Sequence, residues 1–264
     1  MYIKSTSLIE KDGFTEYCNT KTNFMNLDVG LLKLSKGEKF EFKACGREKA
    51  FDLLEGEIEI KINNDINLKF ERASLFHDKP SVLLADKTFN IEITCLSEKS
   101  ELIVQATHNE KEFGYKVWNK DDLEISISGQ DQALGTCTRK VIQFFDYESF
   151  PESNMVMGEV ICSPGQWASW PPHRHYQPEM YLFKFNKPEG FGVSFVGDDA
   201  IKVMNNDATC IPGQLLHPTV CAPGYIMWYC WMIPNLPNKP WVERSFDERY
   251  EWTSTNDVEI SKMR

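Results

Sequence analysis

The stretch PPHRHYQPEMY (residues 171–181) places two of the chain's five histidines one residue apart. A proline turn follows, and a glutamate stands four residues beyond the second histidine. In an extended strand successive side chains alternate faces, so His173 and His175 share one face and Arg174 takes the other. Pro178 marks a turn, and Glu179 opens a second strand that, if antiparallel, returns its carboxylate to the histidines. Further along, PGQLLHPTV (212–220) sets a third histidine, His217, at the head of another strand. Three neutral imidazoles and one carboxylate suit one divalent transition metal (Zn, Mn, Fe, Co or Ni) and leave coordination positions for substrate oxygens. The competing reading, a surface histidine pair with an unrelated His217, needs both half-patterns to coincide by chance.

Outward from this stretch the chain is extended nearly everywhere. GLLKLSKGEKFEFKA (30–44), AFDLLEGEIEIKINN (50–64) and FNIEITCLSEKSELIVQA (89–106) alternate or are β-branched between turn residues, the pattern of a sandwich or barrel. Residues 107–140 are more polar and hold no long apolar run. A second set of strands runs from VIQFFDYE (141–148) to GYIMWYCWMI (224–233), and the Pro-rich tail is expected to cross the barrel as an extended arm. The expectation is an all-β chain with few short helices: a first barrel over 1–110, a connector over 111–140, and a second barrel with the metal site and tail over 141–264. A faint repeat relates 71–93 to 206–228. Aligned without gaps, it puts Val82 where the second half has His217, so the first barrel has the shape of a site without its ligands.

Composition narrows the partners. With 264 residues, 42% hydrophobic and 26% charged, the chain is long enough to bury a sizeable core. A net charge of −10 argues against a nucleic-acid partner. An anionic metabolite must then be held by a local device, a metal or an arginine. No secretory signal is visible at the start, and the longest apolar run, YIMWYCWMI (225–233), is too short to span a bilayer. Eight cysteines are scattered without a C-x-x-C pair, which reads as reduced, mostly buried thiols in a cytoplasmic protein.

The two half-patterns resemble the motifs of the cupin barrel, H-x-H-x(3,4)-E followed by P-x-G-x-x-H, although Pro212 and Gly213 are adjacent here. Over most of its length the chain resembles the 5-deoxy-glucuronate isomerase family, two-barrel cupins of myo-inositol breakdown. The resemblance rests on GREKAFDLLEGEIEI, ERASLFHDKPSVLLA, TRKVIQFFD, MGEVICSPGQWASWPPHRH, GFGVSFVGDDA, NNDATCIPGQLLHPTVCAPGY and DERYEW. GQWASWPPHRH (165–175) is the most specific of these. The 4-deoxy-hexulose-uronate isomerases of pectin breakdown share the fold and the motif. Departures from the family pattern are Tyr176 in place of an acidic residue, a single Glu179 in place of paired glutamates, Ala200 in place of an arginine, and Leu215-Leu216 in place of Gly-Tyr.

The resemblance implies a bicupin that interconverts the aldose and ketose forms of a deoxy-uronic sugar, 5-deoxy-glucuronate to 5-dehydro-2-deoxy-gluconate, through a cis-enediol. It implies a metal held by His173, His175, Glu179 and His217, and a small sugar acid as ligand of a homo-oligomer. Glu179 and Tyr181 are the catalytic candidates, since alternation from Glu179 turns Tyr181 and Phe183 into the barrel. Asp198, Asp199, Arg139 and Lys184 are the candidates for substrate binding, with Lys202 a further cation and Arg174 facing away. His77 and His108 read as surface or packing histidines, and WYCW (228–231) as core strand. Three alternatives stay open: isomerisation of another uronate such as 4-deoxy-5-keto-uronate, an Fe-dependent cupin dioxygenase, and a non-catalytic sugar-binding cupin.

Overall fold

In the computed structural model the described residues, 1–21 and 24–255, form twenty-three strands and three short 3₁₀ helices. None of the helices is long and apolar enough to cross a membrane. The first half builds a ten-stranded sheet system around the strand Arg47–Ile62, which pairs with Lys99–His108, Val82–Ala85, Ile66–Arg72 and Ile91–Cys95. The second half builds a seven-stranded sheet ordered Tyr2–Ile3, Ala208–Ile211, Glu179–Phe185, Met227–Pro234, Met155–Cys162, Arg139–Phe145, Ser126–Ser128. A separate four-stranded sheet holds Trp167–Ala168, Thr219–Cys221, Phe191–Val196 and Asp199–Met204.

Pairing changes halves within the polar stretch. Tyr115–Trp118 pairs with Val82–Ala85, whereas Ser126–Ser128 pairs with Arg139–Phe145. The first strand departs from sequence order, because Tyr2 and Ile3 pair with Thr209 and Ala208 of the second half. This tie is reinforced by the Tyr2 hydroxyl, which donates to Asp207 at 2.7 Å.

The seven-stranded sheet is covered on both faces, and this explains its near-continuous apolar runs. In Met227–Pro234, residues Trp228, Cys230 and Met232 pack with Leu27, Val29, Leu84 and Ile103 of the first half. Met227, Tyr229, Trp231 and Ile233 face the interior of the second barrel. The neighbouring strand divides the same way: Met180 and Leu182 face the first half, Tyr181, Phe183 and Phe185 the second interior. The first barrel is filled by Leu32, Phe51, Leu53, Ile58, Ile60, Leu83 and Ile93, with Phe14, Phe40 and Phe42 packed against them. Val82, aligned above with His217, is buried between the halves. Seven of the eight cysteines are buried, and Cys45 is exposed.

Candidate metal centre and its cavity

The ligand candidates come from three segments of the second barrel. His173 lies in a two-residue strand with Arg174, paired with Ser245–Phe246 of the tail. Glu179 opens its strand opposite Ile211. His217 sits in the connection between Ala208–Ile211 and Thr219–Cys221. That connection is pressed onto the H-x-H segment. A Cβ at Gly213 would lie 2.1 Å from the carbonyl oxygen of Tyr176, so only glycine permits the approach. The Gln214 N–H then donates to the His175 carbonyl at 2.7 Å.

Donor atoms of His175, Glu179 and His217 lie within 4.8 Å of one another, and all three residues are buried. His175 Nε2 and His217 Nε2 each stand 3.1 Å from the same oxygen, Glu179 Oε2. The Nδ1 atom of each histidine faces a backbone carbonyl: Pro171 at 3.2 Å from His173, Gln177 at 2.9 Å from His175, Leu215 at 2.8 Å from His217. A carbonyl can only accept, so Nδ1 carries the hydrogen, and in the neutral imidazole Nε2 is left as a bare lone pair. Two bare nitrogens and a carboxylate oxygen at 3.1 Å repel unless a cation lies among them. His217 Nε2 in particular has no directed hydrogen bond. The donor set therefore fits a divalent metal, with the backbone carbonyls fixing each ring as partners of metal-bound histidines do. His173 stands beside this group, outside its 4.8 Å circle, its ring centroid 4.8 Å from that of His217.

A carboxylate buried here needs positive charge beside it: burial raises Glu179, and without a metal it is the charged forms of His217 and His175 that outweigh burial and hold the carboxyl below its usual range. Burial, then His217 and Arg244, hold His173 well below an ordinary imidazole. Burial followed by the Glu179 and Tyr229 charges pushes the Tyr181 phenol well above its usual value. Its hydroxyl lies 2.9 Å from Ser169 Oγ, and its ring centroid is 6.1 Å from that of His217.

The cavity beside this group is about 110 Å³ and includes Arg139, Gln143, Tyr229, Trp231, Trp241 and Arg244 in its lining. A larger open groove on the first half, about 850 Å³, carries charges of both signs such as Glu57, Glu71, Lys79 and Lys99. Among the described residues it holds no comparable ligand group.

Of the residues expected at the substrate, only Arg139 lines the cavity. Lys184 is directed the other way by strand alternation and is ion-paired with Glu101 of the first half. Asp198 and Asp199 lie exposed at a hairpin tip between Phe191–Val196 and Asp199–Met204, as does Ala200. Lys202 is exposed over the Phe191 ring. Arg174 is exposed, 4.0 Å from Asp247, as alternation required. His77 and His108 are exposed. Tyr229 and Trp231, read from sequence as core strand, also line the cavity, and Trp241 and Arg244 of the tail were not anticipated there. The tail crosses the barrel because Ser245–Phe246 pairs with His173–Arg174, and because the Asp247 N–H donates to Pro172 at 2.9 Å.

Comparison with known proteins places this geometry. The model of the KduI/IolB family matches residues 2–253. The chain is 24% identical over 260 residues to a 5-deoxy-glucuronate isomerase of Bacillus subtilis (strain 168), covering 90% of this chain and 91% of that protein. It is 24% identical over 241 residues to that of Geobacillus thermodenitrificans (strain NG80-2), covering 80% and 84%. With the 5-deoxy-glucuronate isomerase of Geobacillus kaustophilus (strain HTA426) the identity is 31% over 122 residues, which spans 37% of this chain and 44% of that protein. Among solved structures, an IolB-like protein from Salmonella typhimurium LT2 superposes with a TM-score of 0.79 at 21% identity, covering 87% of this chain and 90% of that one. A Lactobacillus farciminis oxalate decarboxylase superposes with a TM-score of 0.67 at 11% identity, covering 96% and 90%. The expected all-β bicupin architecture is the fold observed.

Proposed function

Because the chain belongs to the KduI/IolB family, we propose that it is an isomerase interconverting the aldose and ketose forms of a deoxy-uronic sugar, with 5-deoxy-glucuronate the first substrate to test. The observation that carries this reading is the buried His175–Glu179–His217 group, its Nε2 atoms turned onto one carboxylate oxygen, with His175 and Glu179 lining a cavity beside it. His173, beside His217 with its Nδ1 likewise occupied, is the fourth ligand in this reading.

A metal bound there supplies Lewis-acid polarisation of the sugar carbonyl. The chain's own residues hold the open-chain sugar and manage its protons. The reaction is a redistribution within one molecule. A proton leaves the carbon beside the carbonyl, an enediol forms, and a proton returns to the former carbonyl carbon. No oxidant or second substrate is consumed. Tyr181, hydrogen-bonded to Ser169, is the residue that in this reading gives a hydrogen bond to a substrate oxygen as negative charge develops. Tyr229 and Trp231 wall the same space and limit its water.

The test is proton NMR of the metal-supplemented protein with 5-deoxy-glucuronate in D₂O without oxygen, beside His175→Ala. Ketose formed only by the intact protein, with deuterium at the carbon beside the carbonyl, is the expected result. An oxygen requirement sinks the isomerase in favour of a dioxygenase. Absence of turnover on 5-deoxy-glucuronate and on 4-deoxy-5-keto-uronate alike sinks it in favour of a binding protein.

A further inference from the structure

The cavity carries more positive charge than its ligand group can use. Arg139 and Arg244 both line it, and desolvation, followed by the Arg139 charge, holds the Arg244 guanidinium below its ordinary value. The Arg139 guanidinium donates to two neutral carbonyls, Cys137 at 2.9 Å and Trp170 at 3.1 Å, which orient it without neutralising it. Two of its five N–H donors are so used, which leaves a fork free to face the cavity. Arg244 is exposed as a residue and stands at the mouth, its guanidinium 5.6 Å from the Phe246 ring. Among the described residues neither arginine has a carboxylate within ion-pair distance. The carboxylate of the lining, Glu179, is engaged with His175 and His217.

Placement of Arg244 is built into the fold rather than left to a loose tail. Phe246 pairs with His173, and its ring lies 5.8 Å from that imidazole. Gln177 donates to the Lys239 carbonyl at 2.7 Å, and Trp241 packs 5.7 Å from Trp231 and 6.3 Å from His175. The tail segment from Lys239 to Asp247 is thereby fastened over the metal group with one cation aimed at its mouth. On a chain of net charge −10, two arginines without carboxylate partners in one cavity form a local device for an anion.

We propose that Arg139 and Arg244 form a carboxylate-binding subsite, which holds the acid end of a sugar acid while its carbonyl end faces the His175–Glu179–His217 group. The orientation of the sugar rests on the isomerase reading; the subsite itself does not. A planar carboxylate matches the guanidinium fork, so the subsite selects uronic over neutral sugars.

The test is calorimetric titration of the purified chain with D-glucuronate and with D-glucose, for the unaltered protein, Arg244→Gln and Arg244→Lys. Among the described residues Arg244 makes no side-chain hydrogen bond, and equal melting temperatures check that folding does not depend on it. Glucuronate is expected to bind the unaltered protein at least about tenfold more tightly than glucose, and Arg244→Gln to lose about that factor for glucuronate alone. Arg244→Lys recovers part of the loss, because it keeps charge without the fork. The subsite is overturned if the unaltered protein does not prefer glucuronate, or if Arg244→Gln binds it within about twofold of the original. Turnover does not enter this readout. Arg244-dependent glucuronate binding by a protein that isomerises no uronate would sink the proposed reaction and uphold the subsite. Isomerisation with KM unchanged in Arg244→Gln would uphold the reaction and overturn the subsite.

Discussion

The Gln214 N–H donates a 2.7 Å hydrogen bond to the His175 carbonyl, and so joins the two half-motifs through main chain before any metal is considered. Gly213 makes this approach possible, because any side chain there meets the Tyr176 carbonyl. The Pro212-Gly213 turn therefore serves to seat His217 against His175 and Glu179. Gly213→Ala should push that connection away, cost about 1–3 kcal/mol of stability and weaken metal binding. Thermal melting with and without added Zn or Mn reads both effects. An alanine variant that melts and binds metal like the parent would show that the two segments find each other without the close contact.

The ligand group itself predicts a sharp split among the chain's histidines. His175→Ala, His217→Ala and Glu179→Gln should each lower metal affinity by at least about a hundredfold, since second-shell losses alone reach about 10–100-fold. The exposed His77→Ala should leave it unchanged. A metal that binds only the folded chain should, at saturation of about 100 times Kd, stabilise it by about 2.7 kcal/mol, and a chelator should remove that gain. Equal metal retention by His77→Ala and His217→Ala, measured by elemental analysis after dialysis, would remove the assignment.

A buried charge cluster ties the two halves together and makes stability depend on pH. Arg72 of the first half forks onto Glu159 of the second at 2.6 and 2.8 Å, with Asp52 at 3.5 Å, and all three side chains are fully buried. Glu159→Gln should cost about 3–5 kcal/mol by leaving Arg72 short of its partner. Burial and the Glu159 charge hold the Asp52 carboxyl well above its ordinary value. A raised folded pKa means that the folded state keeps a proton which the unfolded chain releases above about pH 4. Stability from this group therefore falls as pH rises from about 4 towards the folded value. Asp52→Asn removes that slope, so the difference in stability between Asp52→Asn and the parent should shift towards the variant between pH 5 and pH 8. Denaturant unfolding at several pH values measures it, and parallel curves for the two proteins would contradict a protonated Asp52.

Much of this site was legible because a strand alternates. Alternation from Glu179 put Tyr181 inside the second barrel, where it lines the cavity. The same rule places Lys184 on the opposite face, and its pairing with Glu101 follows from that alternation rather than from its charge. Tyr229 and Trp231 were harder to assign because both faces of Met227–Pro234 are buried, so apolar residues occupy every position and hydropathy does not separate the cavity side from the side facing the first half. Arg244 was not legible at all. Its tail has no periodicity, and its place is set by main-chain pairing with His173–Arg174, which leaves no pattern in side-chain chemistry. Asp198 and Asp199 were drawn to the site by their acidity, but a Gly-Asp-Asp sequence after a strand is first of all a turn, and that is its role here.

Tyr181 offers the clearest separation of chemistry from structure. Its ring packs against Tyr229 at 4.6 Å and Phe183 at 6.0 Å, and these contacts survive in Tyr181→Phe. The hydroxyl is lost, with its 2.9 Å contact to Ser169 and its interaction with Glu179. If that hydroxyl assists proton transfer or steadies the developing oxyanion, kcat on 5-deoxy-glucuronate should fall by about 10²–10⁴-fold, while KM, metal content and melting temperature change little. The comparison with Ser169→Ala is informative, because that variant keeps the phenol and loses only its anchor. A loss smaller than that of Tyr181→Phe is expected, since a misplaced donor still works part of the time. Should Tyr181→Phe turn over at the parent rate with unaltered metal content, the hydroxyl serves packing alone, and the proton must be managed by a ligand carboxylate or a water in the cavity.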